Sequence, residues 1–428
     1  MNVVSSPNFL IRTSINLLKF DKYPSTYKNL FFLIMQFSIK DFFVSSKIDG
    51  SCKLLNLNQF LKVLLWGMIF SQFVNLSAQT IPDKNKEHAG AHVVILGTAG
   101  GRTSYLGSSS AGISSALVVD GSVYLVDFGS GWLRRFHQAG LGGGPPSRGL
   151  ANLRAAFITH LHADHIVDYP SLFLFGSSDG LSDVRQPVQI VGPGSRGAIV
   201  PLKGLREQDV PLVNPENPTP GTVAMTNALL QAFATDINDN IRDSQKPDPR
   251  SLVKVRDIVI PAGLVKDFNL DPAPLMKPFQ IYLDEKVRVT ATLVNHEPVF
   301  PAFAFRFDTA YGSAVFSGDT SPSKNLIELA SGADVLIHEV IDTAWVEKIL
   351  PFPRSAAAQA KADHLIHAHT AVEDVGRVAQ ASGVKKLVLQ HLAPADSSEV
   401  RWKRAQEGFN GQVIVGRDLL SVPLKNDR

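Results

Sequence analysis

The chain has 428 residues, of which 44% are hydrophobic and 19% are charged, so it can bury a large core and is neither disordered nor fibrous. Its formal net charge of +3 gives no strong electrostatic reason to expect binding to nucleic acid or to an anionic membrane surface. The single cysteine, Cys52, lies near the N-terminus, so the rest of the chain can form no disulfide, zinc-thiolate site or cysteine nucleophile. Any metal site there must use histidine and carboxylate ligands, which favours zinc, with Mn2+ or Fe2+ as substitutes.

The N-terminal region has two parts. Residues 1–54 show scattered aromatic and short apolar runs without clear periodicity, so we expect a non-native or disordered extension. Residues 55–78 have the order of a signal peptide, with a lysine before an apolar segment and small residues at the end. The segment is too short for a stable membrane span, although a short hydrophobic anchor is the alternative. We therefore expect export to a periplasmic or extracellular site, and a translation start near Leu55 or Leu57.

A folded domain is expected over residues 90–428. Residues 92–97 predict a strand that ends in a glycine-rich turn at residues 98–101. The turn lacks the spacing of a dinucleotide-binding fingerprint, and no helical pattern follows it. We interpret these glycines as residues that the turn requires, and not as a cofactor site.

The next elements form a hairpin. Residues 115–119 and 123–126 predict two strands joined by an Asp-Gly turn. Asp127 closes the second strand, before a helix predicted at residues 132–139. Asp127 can either cap that helix or orient a ligand histidine from the outer sphere, and the sequence leaves both readings open.

The densest group of potential metal ligands follows the apolar residues 155–158. It is the string His160-x-His162-x-Asp164-His165, in a chain with only 12 histidines. In an extended segment alternate residues point the same way, so His160 and His162 can hold one ion. Asp164 and His165 can then hold a second ion beside it.

A strand at residues 188–191 is followed by a long insertion at about residues 200–275. The insertion is proline-rich at first and helical around residues 226–234. Its charges are mixed in sign, so we expect a solvated segment.

Four later strands each deliver a histidine or an aspartate: residues 287–294 lead to His296, 313–317 to Gly318-Asp319-Thr320, 334–337 to His338-Glu339, and 386–390 to His391. His369 precedes a helix predicted at residues 371–381. Each feature alone is weak, because a histidine after a strand is more often structural than a ligand. Their joint order carries the weight, since active sites collect at the C-terminal ends of strands.

That order resembles the metallo-β-lactamase superfamily over residues 92–420, and within it most closely the ribonuclease Z and arylsulfatase-type branch. The matching residues are His160, His162, Asp164, His165, His296, Ser317-Gly318-Asp319-Thr320, His338-Glu339, His369 and Leu389-Gln390-His391. The resemblance implies an α/β fold, a four-layered αββα sandwich, with two zinc ions. It places His160, His162 and His296 on the first ion, Asp164, His165 and His391 on the second, and Asp319 between them. True β-lactamases generally lack this aspartate, which argues against antibiotic hydrolysis.

The resemblance also implies a metal-dependent hydrolase in which a metal-bridging hydroxide attacks an ester. Asp164 is expected to orient the nucleophile, and His369 to protonate the leaving oxygen. Glu339 is expected to hold the ring of His369. The alternatives are a noncatalytic histidine at a helix N-terminus and a buried structural carboxylate.

The substrate expectation is a small phosphate or sulfate ester. A transfer RNA precursor would require a basic stripe, which residues 200–275 do not supply, and export would separate the enzyme from such a substrate. A ribonuclease Z-like phosphodiesterase that processes transfer RNA 3′ ends is the alternative, and a lactonase is the third. Nucleic acid is not an expected partner, and a homodimer is compatible with the sequence. A noncatalytic scaffold would require a broken ligand set, and this set is intact.

Overall fold

The computed structural model describes residues 90–142, 149–200 and 210–425. The expected extension at residues 1–54 and the expected signal peptide at residues 55–78 lie outside the described residues, so export stays a prediction. None of the helices in the described ranges combines the length and the apolar character that crossing a membrane requires.

The described strands follow one another as β1 (Ala91–Gly97), β2 (Ser114–Val119), β3 (Ser122–Val126), β4 (Leu153–Phe157), β5 (Val188–Pro193), β6 (Val253–Ile258), β7 (Phe279–Leu283), β8 (Val287–Leu293), β9 (Phe303–Thr309), β10 (Gly312–Phe316), β11 (Val335–Ile341), β12 (Lys386–Ala393), β13 (Gln412–Val415) and β14 (Ser421–Pro423). The described α-helices are α1 (Trp132–Gln138), α2 (Ala163–Ile166), α3 (Ser171–Leu174), α4 (Thr222–Ala232), α5 (Ala234–Asp243), α6 (Pro249–Leu252), α7 (Lys324–Leu329), α8 (Thr343–Ile349), α9 (Ala356–His367), α10 (Val372–Ser382) and α11 (Glu399–Trp402).

The strands form two seven-stranded sheets. The first has the order β14-β1-β2-β3-β4-β5-β6, and the second has the order β13-β12-β11-β10-β9-β8-β7. The predicted hairpin is present, because β2 and β3 pair antiparallel and both turn residues, Asp120 and Gly121, have positive φ angles of 45° and 75°. Such a pair of angles suits the right-handed twist of the two strands.

The core has three layers of apolar contact. Between the sheets, side chains such as Phe157 of the first sheet pack against Phe305 and Phe307 of the second, with ring centroids 5.8 and 5.2 Å apart. The outer face of the first sheet buries α1 and α3, and that of the second buries α7 and α10. Each fully buried phenylalanine contributes about 1.5–3 kcal/mol. The predicted αββα sandwich is thus the observed architecture.

The predicted insertion is shorter than its expected range. Residues 253–258 form β6, which pairs parallel with β5 at the edge of the first sheet, and residues 279–283 form β7 at the edge of the second. The prediction missed both because edge strands keep few buried side chains, so their apolar pattern is weak. The insertion itself therefore lies between β5 and β6. Within it, α4 overlaps the helix predicted around residues 226–234, and α5 begins where that helix was expected to end.

Candidate metal centre

The His160-x-His162-x-Asp164-His165 string runs off the end of β4 into the one-turn helix α2. His162 has extended backbone angles (φ −69°, ψ 150°), and α2 begins at the next residue. The helix turns the chain back, so the rings of His160 and His165 lie only 4.0 Å apart between centroids. This reversal points all four side chains into one space.

The first group of potential ligands brings together His160, His162, His296 and Asp319, whose donor atoms lie within 4.8 Å of one another. The Nε2 atoms of His160 and His296 each lie 3.8 Å from Oδ2 of Asp319. Nδ1 of His296 lies 2.8 Å from the carbonyl oxygen of Ala368. Because a carbonyl only accepts, Nδ1 must carry the proton, which leaves the Nε2 lone pair facing the group.

The second group brings together Asp164, His165, His391 and again Asp319. Nε2 of His391 lies 3.1 Å from Oδ2 of Asp164 and 3.2 Å from Oδ2 of Asp319, and Nε2 of His165 lies 3.3 Å from Oδ1 of Asp319. All seven side chains that the resemblance implied as metal ligands therefore meet at one place.

His391 reaches this group from inside β12 rather than from its end. Its neighbours Gln390 and Leu392 pair with consecutive residues of β11, so His391 is an extra, bulged residue with φ 48°. A bulge re-aims a side chain that regular pleating would place elsewhere. Gly100 packs against the ring, and a β-carbon there would lie 2.5 Å from Nδ1 of His391.

Asp319 belongs to both groups because the turn after β10 presents it between them. Gly318 takes a left-handed conformation (φ 57°), and a β-carbon there would lie 2.5 Å from the carbonyl oxygen of Phe303. Only glycine fits that turn without strain. The Asp319 side chain is almost completely buried among histidine rings.

The chemistry of the site fits divalent metal ions. Nε2 of His160, Nε2 of His165 and Oδ1 of Asp319 are buried without a hydrogen-bond partner, which is costly unless another group satisfies them. Burial lowers the pKa of His160 and His296 well below the usual value, and that of His162 to about 4, so these rings are neutral and can donate lone pairs.

The second group carries more negative charge. Burial opposes protonation of His165, but the carboxylates of Asp319, Asp164 and Asp127 outweigh it and raise the pKa of that ring well above the usual value. For Asp319 itself burial raises the pKa, but His391 and His165 together hold it well below the usual range. A cation is thus stabilised at this position, and a metal ion can replace the protons.

Asp127 orients His165 and does not cap a helix. Its Oδ2 lies 2.8 Å from Nδ1 of His165 and also accepts from the Thr159 hydroxyl, while Oδ1 accepts from the Thr159 backbone N–H. The N-terminus of α1 is instead bonded by Asp168, which accepts from the N–H of Gly131. Of the two readings left open by the sequence, the structure supports the outer-sphere one.

Asp127→Asn should therefore weaken zinc binding by about 10- to 100-fold, the usual cost of losing an outer-sphere partner. The uncharged amide no longer stabilises the proton on Nδ1 of His165, so the ring is held less firmly for a metal. Titration of metal-free protein with zinc against a competing chelator measures the change. Asp120→Asn, in the exposed hairpin turn, is the matched control. Wild-type zinc affinity in Asp127→Asn would contradict the assignment.

His369 and Glu339 lie together beside the two groups. Nδ1 of His369 is 3.3 Å from Oε1 of Glu339 and 3.9 Å from Oδ2 of Asp319. Burial favours the neutral ring, but the Glu339 carboxylate and, more weakly, Asp319 raise the pKa of His369 to about 9 overall. The ring therefore holds a proton at neutral pH. Oε1 of Glu339 also accepts from the backbone N–H groups of Thr320 and Thr370, so Glu339 ties three segments together.

Of the histidines in the quoted motifs, His369 lies beside the two groups, and His338 stays away from the site. Its Nδ1 lies 2.6 Å from the carbonyl oxygen of Glu339, and the side chain is fully buried inside β11. Both His338 and Glu339 lie within the strand rather than after it, so alternation sends them to opposite sides. Only Glu339 reaches His369.

The structure adds groups to the site that the sequence patterns did not single out. The N–H of Gly101 donates to Oδ2 of Asp164 over 2.8 Å, so the glycine-rich turn forms part of the wall. His364 on α9 places its ring 5.5 Å from that of His296. Tyr105 and Trp345 form an edge-to-face pair 6.3 Å apart, and the Tyr105 hydroxyl bonds the carbonyl of Gly100.

The sequence is similar to known enzymes. Ribonuclease Z of Mycobacterium marinum is 30% identical over 318 residues, which cover 73% of this chain and 92% of that protein. The chain belongs to the ribonuclease Z family. Ribonuclease Z of Mycobacterium bovis BCG Pasteur is 28% identical over 316 residues, covering 73% of this chain and 91% of that protein. No protein-family model matches the chain.

Two solved structures are similar to this one with lower sequence identity. The short form of human tRNase Z has 20% identity and a TM-score of 0.49, and the alignment covers 78% of this chain and 100% of that one. The metallo-β-lactamase fold protein YhfI of Bacillus subtilis has 18% identity and a TM-score of 0.46, covering 77% and 98%.

Family membership defines the chemical class of the protein. It is a metal-dependent hydrolase of the metallo-β-lactamase superfamily, in the ribonuclease Z branch, and it acts on ester bonds. The relatives favour the ribonuclease Z-like phosphodiesterase, the alternative in the sequence analysis, over the small phosphate or sulfate ester hydrolase expected first. An arylsulfatase-type activity, the exclusion of nucleic acid and a homodimer stay predictions.

Proposed function

We propose that the protein is a dinuclear zinc phosphodiesterase that cleaves RNA. The observation that carries the proposal is the position of Asp319, whose Oδ2 lies near His160 and His296 of the first group and His391 of the second, while its Oδ1 lies near His165 of the second. A single carboxylate shared by two sets of ligands suits a pair of ions. In this arrangement His162 completes the first set and Asp164 the second.

Different residues of the chain then have different roles in the reaction. Bound zinc ions would acidify a water molecule and neutralise charge on the phosphoryl group. Asp164, held by the N–H of Gly101, can orient the attacking oxygen. His369, protonated beside Glu339, lies where it can deliver a proton to the departing oxygen. Asp127 holds the ring of His165 in its orientation.

One observation favours a second candidate, a phosphodiesterase of small substrates. Between β5 and β6, the described residues 210–252 contain five acidic side chains (Glu216, Asp236, Asp239, Asp243, Asp248) and three basic ones (Arg242, Lys246, Arg250). A segment that grips a long polyanion is expected to be basic. The RNA reading therefore rests on the relatives named ribonuclease Z and on the site, and not on this segment.

Purified, metal-analysed protein decides between these functions. We expect it to contain two zinc ions per chain and to cleave a transfer RNA precursor and bis-p-nitrophenyl phosphate but not p-nitrophenyl sulfate. A chelator should abolish both activities, and added zinc should restore them, because buried ligand atoms of His160, His165 and Asp319 have no hydrogen-bond partner. Cleavage of the nitrophenyl diester alone would favour the small-substrate candidate. Turnover of the sulfate ester without either diester would overturn the proposal.

A further inference from the structure

His364 lies next to the metal centre without belonging to either of the two ligand groups that share Asp319. It sits on α9 and is half-buried, whereas His296 and His369 are buried. Its ring centroid is 5.9 Å from that of His162, 5.5 Å from that of His296 and 6.0 Å from that of His369. A group bound at the metal centre next to the proposed proton donor would therefore meet this ring.

The hydrogen bond of His364 fixes which of its nitrogens carries the proton. Nδ1 lies 3.2 Å from the backbone carbonyl oxygen of Glu297. A carbonyl oxygen only accepts, so Nδ1 is the donor, and in the neutral ring Nε2 is then an acceptor. The neutral His364 ring thus offers a lone pair at Nε2, and one of its nitrogens lies within 4.8 Å of ring nitrogens of His296 and His369.

An acceptor at this position does not match a phosphate. The nonbridging oxygens of a phosphodiester are themselves acceptors and would meet the lone pair unfavourably. A substrate hydroxyl matches it, and in RNA the 2′-hydroxyl is the neighbour of the 3′-oxygen, one of the two ester oxygens that can leave when phosphorus is attacked. The rings of His369 and His364 lie 6.0 Å apart between centroids, so a ribose whose 3′-oxygen faces His369 can place its 2′-hydroxyl near His364.

We propose that Nε2 of His364 accepts a hydrogen bond from the 2′-hydroxyl next to the scissile phosphate and so selects ribonucleotides over deoxyribonucleotides at the cleaved position. The inference rests on the proposed phosphodiesterase function and adds its sugar specificity. The 2′-hydroxyl is the group by which proteins distinguish RNA from DNA at a given site.

The test compares two oligonucleotides that differ by one 2′-hydroxyl, at the nucleotide whose 3′-oxygen leaves. The wild type should show a kcat/KM about 10-fold higher for the ribose form, which is the upper range for one neutral hydrogen bond. His364→Ala should lose about 10-fold on the ribose form and little on the deoxy form. His367→Ala, an exposed histidine on the same helix, is the matched control and should keep the wild-type ratio.

Other outcomes would overturn the inference. An equal loss on both oligonucleotides would indicate a phosphate contact, and a loss of zinc from His364→Ala would indicate a metal ligand. His364→Ala with the wild-type preference would remove the residue from sugar recognition. Zinc content and thermal unfolding of each variant identify a merely unfolded protein, and His364→Gln, which keeps an acceptor oxygen, should restore part of the preference.

Binding separates this inference from the proposed function. Zinc-loaded wild type should bind uridine 3′-monophosphate about 10-fold more tightly than its 2′-deoxy form, and His364→Ala should bind both alike. If no diester is cleaved but the binding preference is present, the phosphodiesterase proposal fails and the role of His364 stands. If diesters are cleaved and neither assay shows a preference, only the role of His364 fails.

Discussion

Asp319→Ala should abolish most of the hydrolytic activity and leave the two-sheet fold intact. We expect a loss larger than the roughly 100-fold that removal of an outer-sphere partner such as Asp127 costs. Oδ2 of Asp319 lies within 3.2–3.8 Å of His391, His160 and His296, and Oδ1 lies 3.3 Å from His165. Its loss removes the negative charge that both ligand groups share.

The fold should survive because Asp319 supports the site rather than the core. The turn is held by Gly318, by the N–H of Ser317 donating to the carbonyl of Ile337 and by the N–H of Thr320 donating to Glu339, and the Asp319 side chain takes part in none of these contacts. Zinc content, kcat/KM and thermal unfolding are measured together on Asp319→Ala and Asp319→Asn. Asp308→Ala is the control, because that aspartate pairs with arginines at the sheet surface. Full activity and full zinc content in Asp319→Ala would remove Asp319 from the centre.

The ligand set could be predicted because most of its residues directly follow a strand in the sequence. His160, His296 and Asp319 each follow an apolar strand, and β8 and β10 run in the same direction on either side of the antiparallel β9, so His296 and Asp319 lie at the same edge of the second sheet. Their type and order were enough to predict that seven residues spread from His160 to His391 converge. The resemblance to the metallo-β-lactamase superfamily predicted both this convergence and the αββα sandwich.

The remaining parts of the site depend on long-range packing that no local pattern encodes. His364 comes from α9, whose sequence is dominated by alanine and has little apolar pattern. Its ring reaches the centre because α8 and α9 pack together, with Trp345 beside Leu365 and Ile366. The role of Asp127 was open for a similar reason, because only the fold places Asp168 at the helix and His165 beside Asp127.

Three of the histidine rings are oriented by a hydrogen bond at their Nδ1 atom. His296 and His364 donate Nδ1–H to the backbone carbonyls of Ala368 and Glu297, and His165 faces the Asp127 carboxylate. In the neutral rings of His296 and His364 this bond leaves Nε2 as the lone pair, whereas at His165, whose pKa is raised, a metal ion would replace the proton on Nε2. His369 differs, because Glu339 faces its Nδ1 and keeps the whole ring charged. His369 thus lies outside the two ligand groups as a ring that can give up a proton.

His369→Ala should slow cleavage most for substrates whose leaving oxygen is poorly stabilised. Loss of a positioned general acid costs about 10²–10⁴-fold when the departing alkoxide must be protonated, as with the ribose 3′-oxygen of RNA. A p-nitrophenolate leaves without that help, so hydrolysis of bis-p-nitrophenyl phosphate should fall far less.

A series of diesters with graded leaving groups therefore measures the role of His369. In the wild type the rate should depend weakly on the pKa of the leaving group, since the proton carried by His369 compensates poor leaving groups. In His369→Ala the dependence should become steep, whereas His367→Ala should match the wild type. Glu339→Gln is a weaker test, because Glu339 also accepts from Thr320 and Thr370 and its loss disturbs the backbone. An equal loss across the whole series would mean that His369 positions the substrate or the ligands and donates no proton.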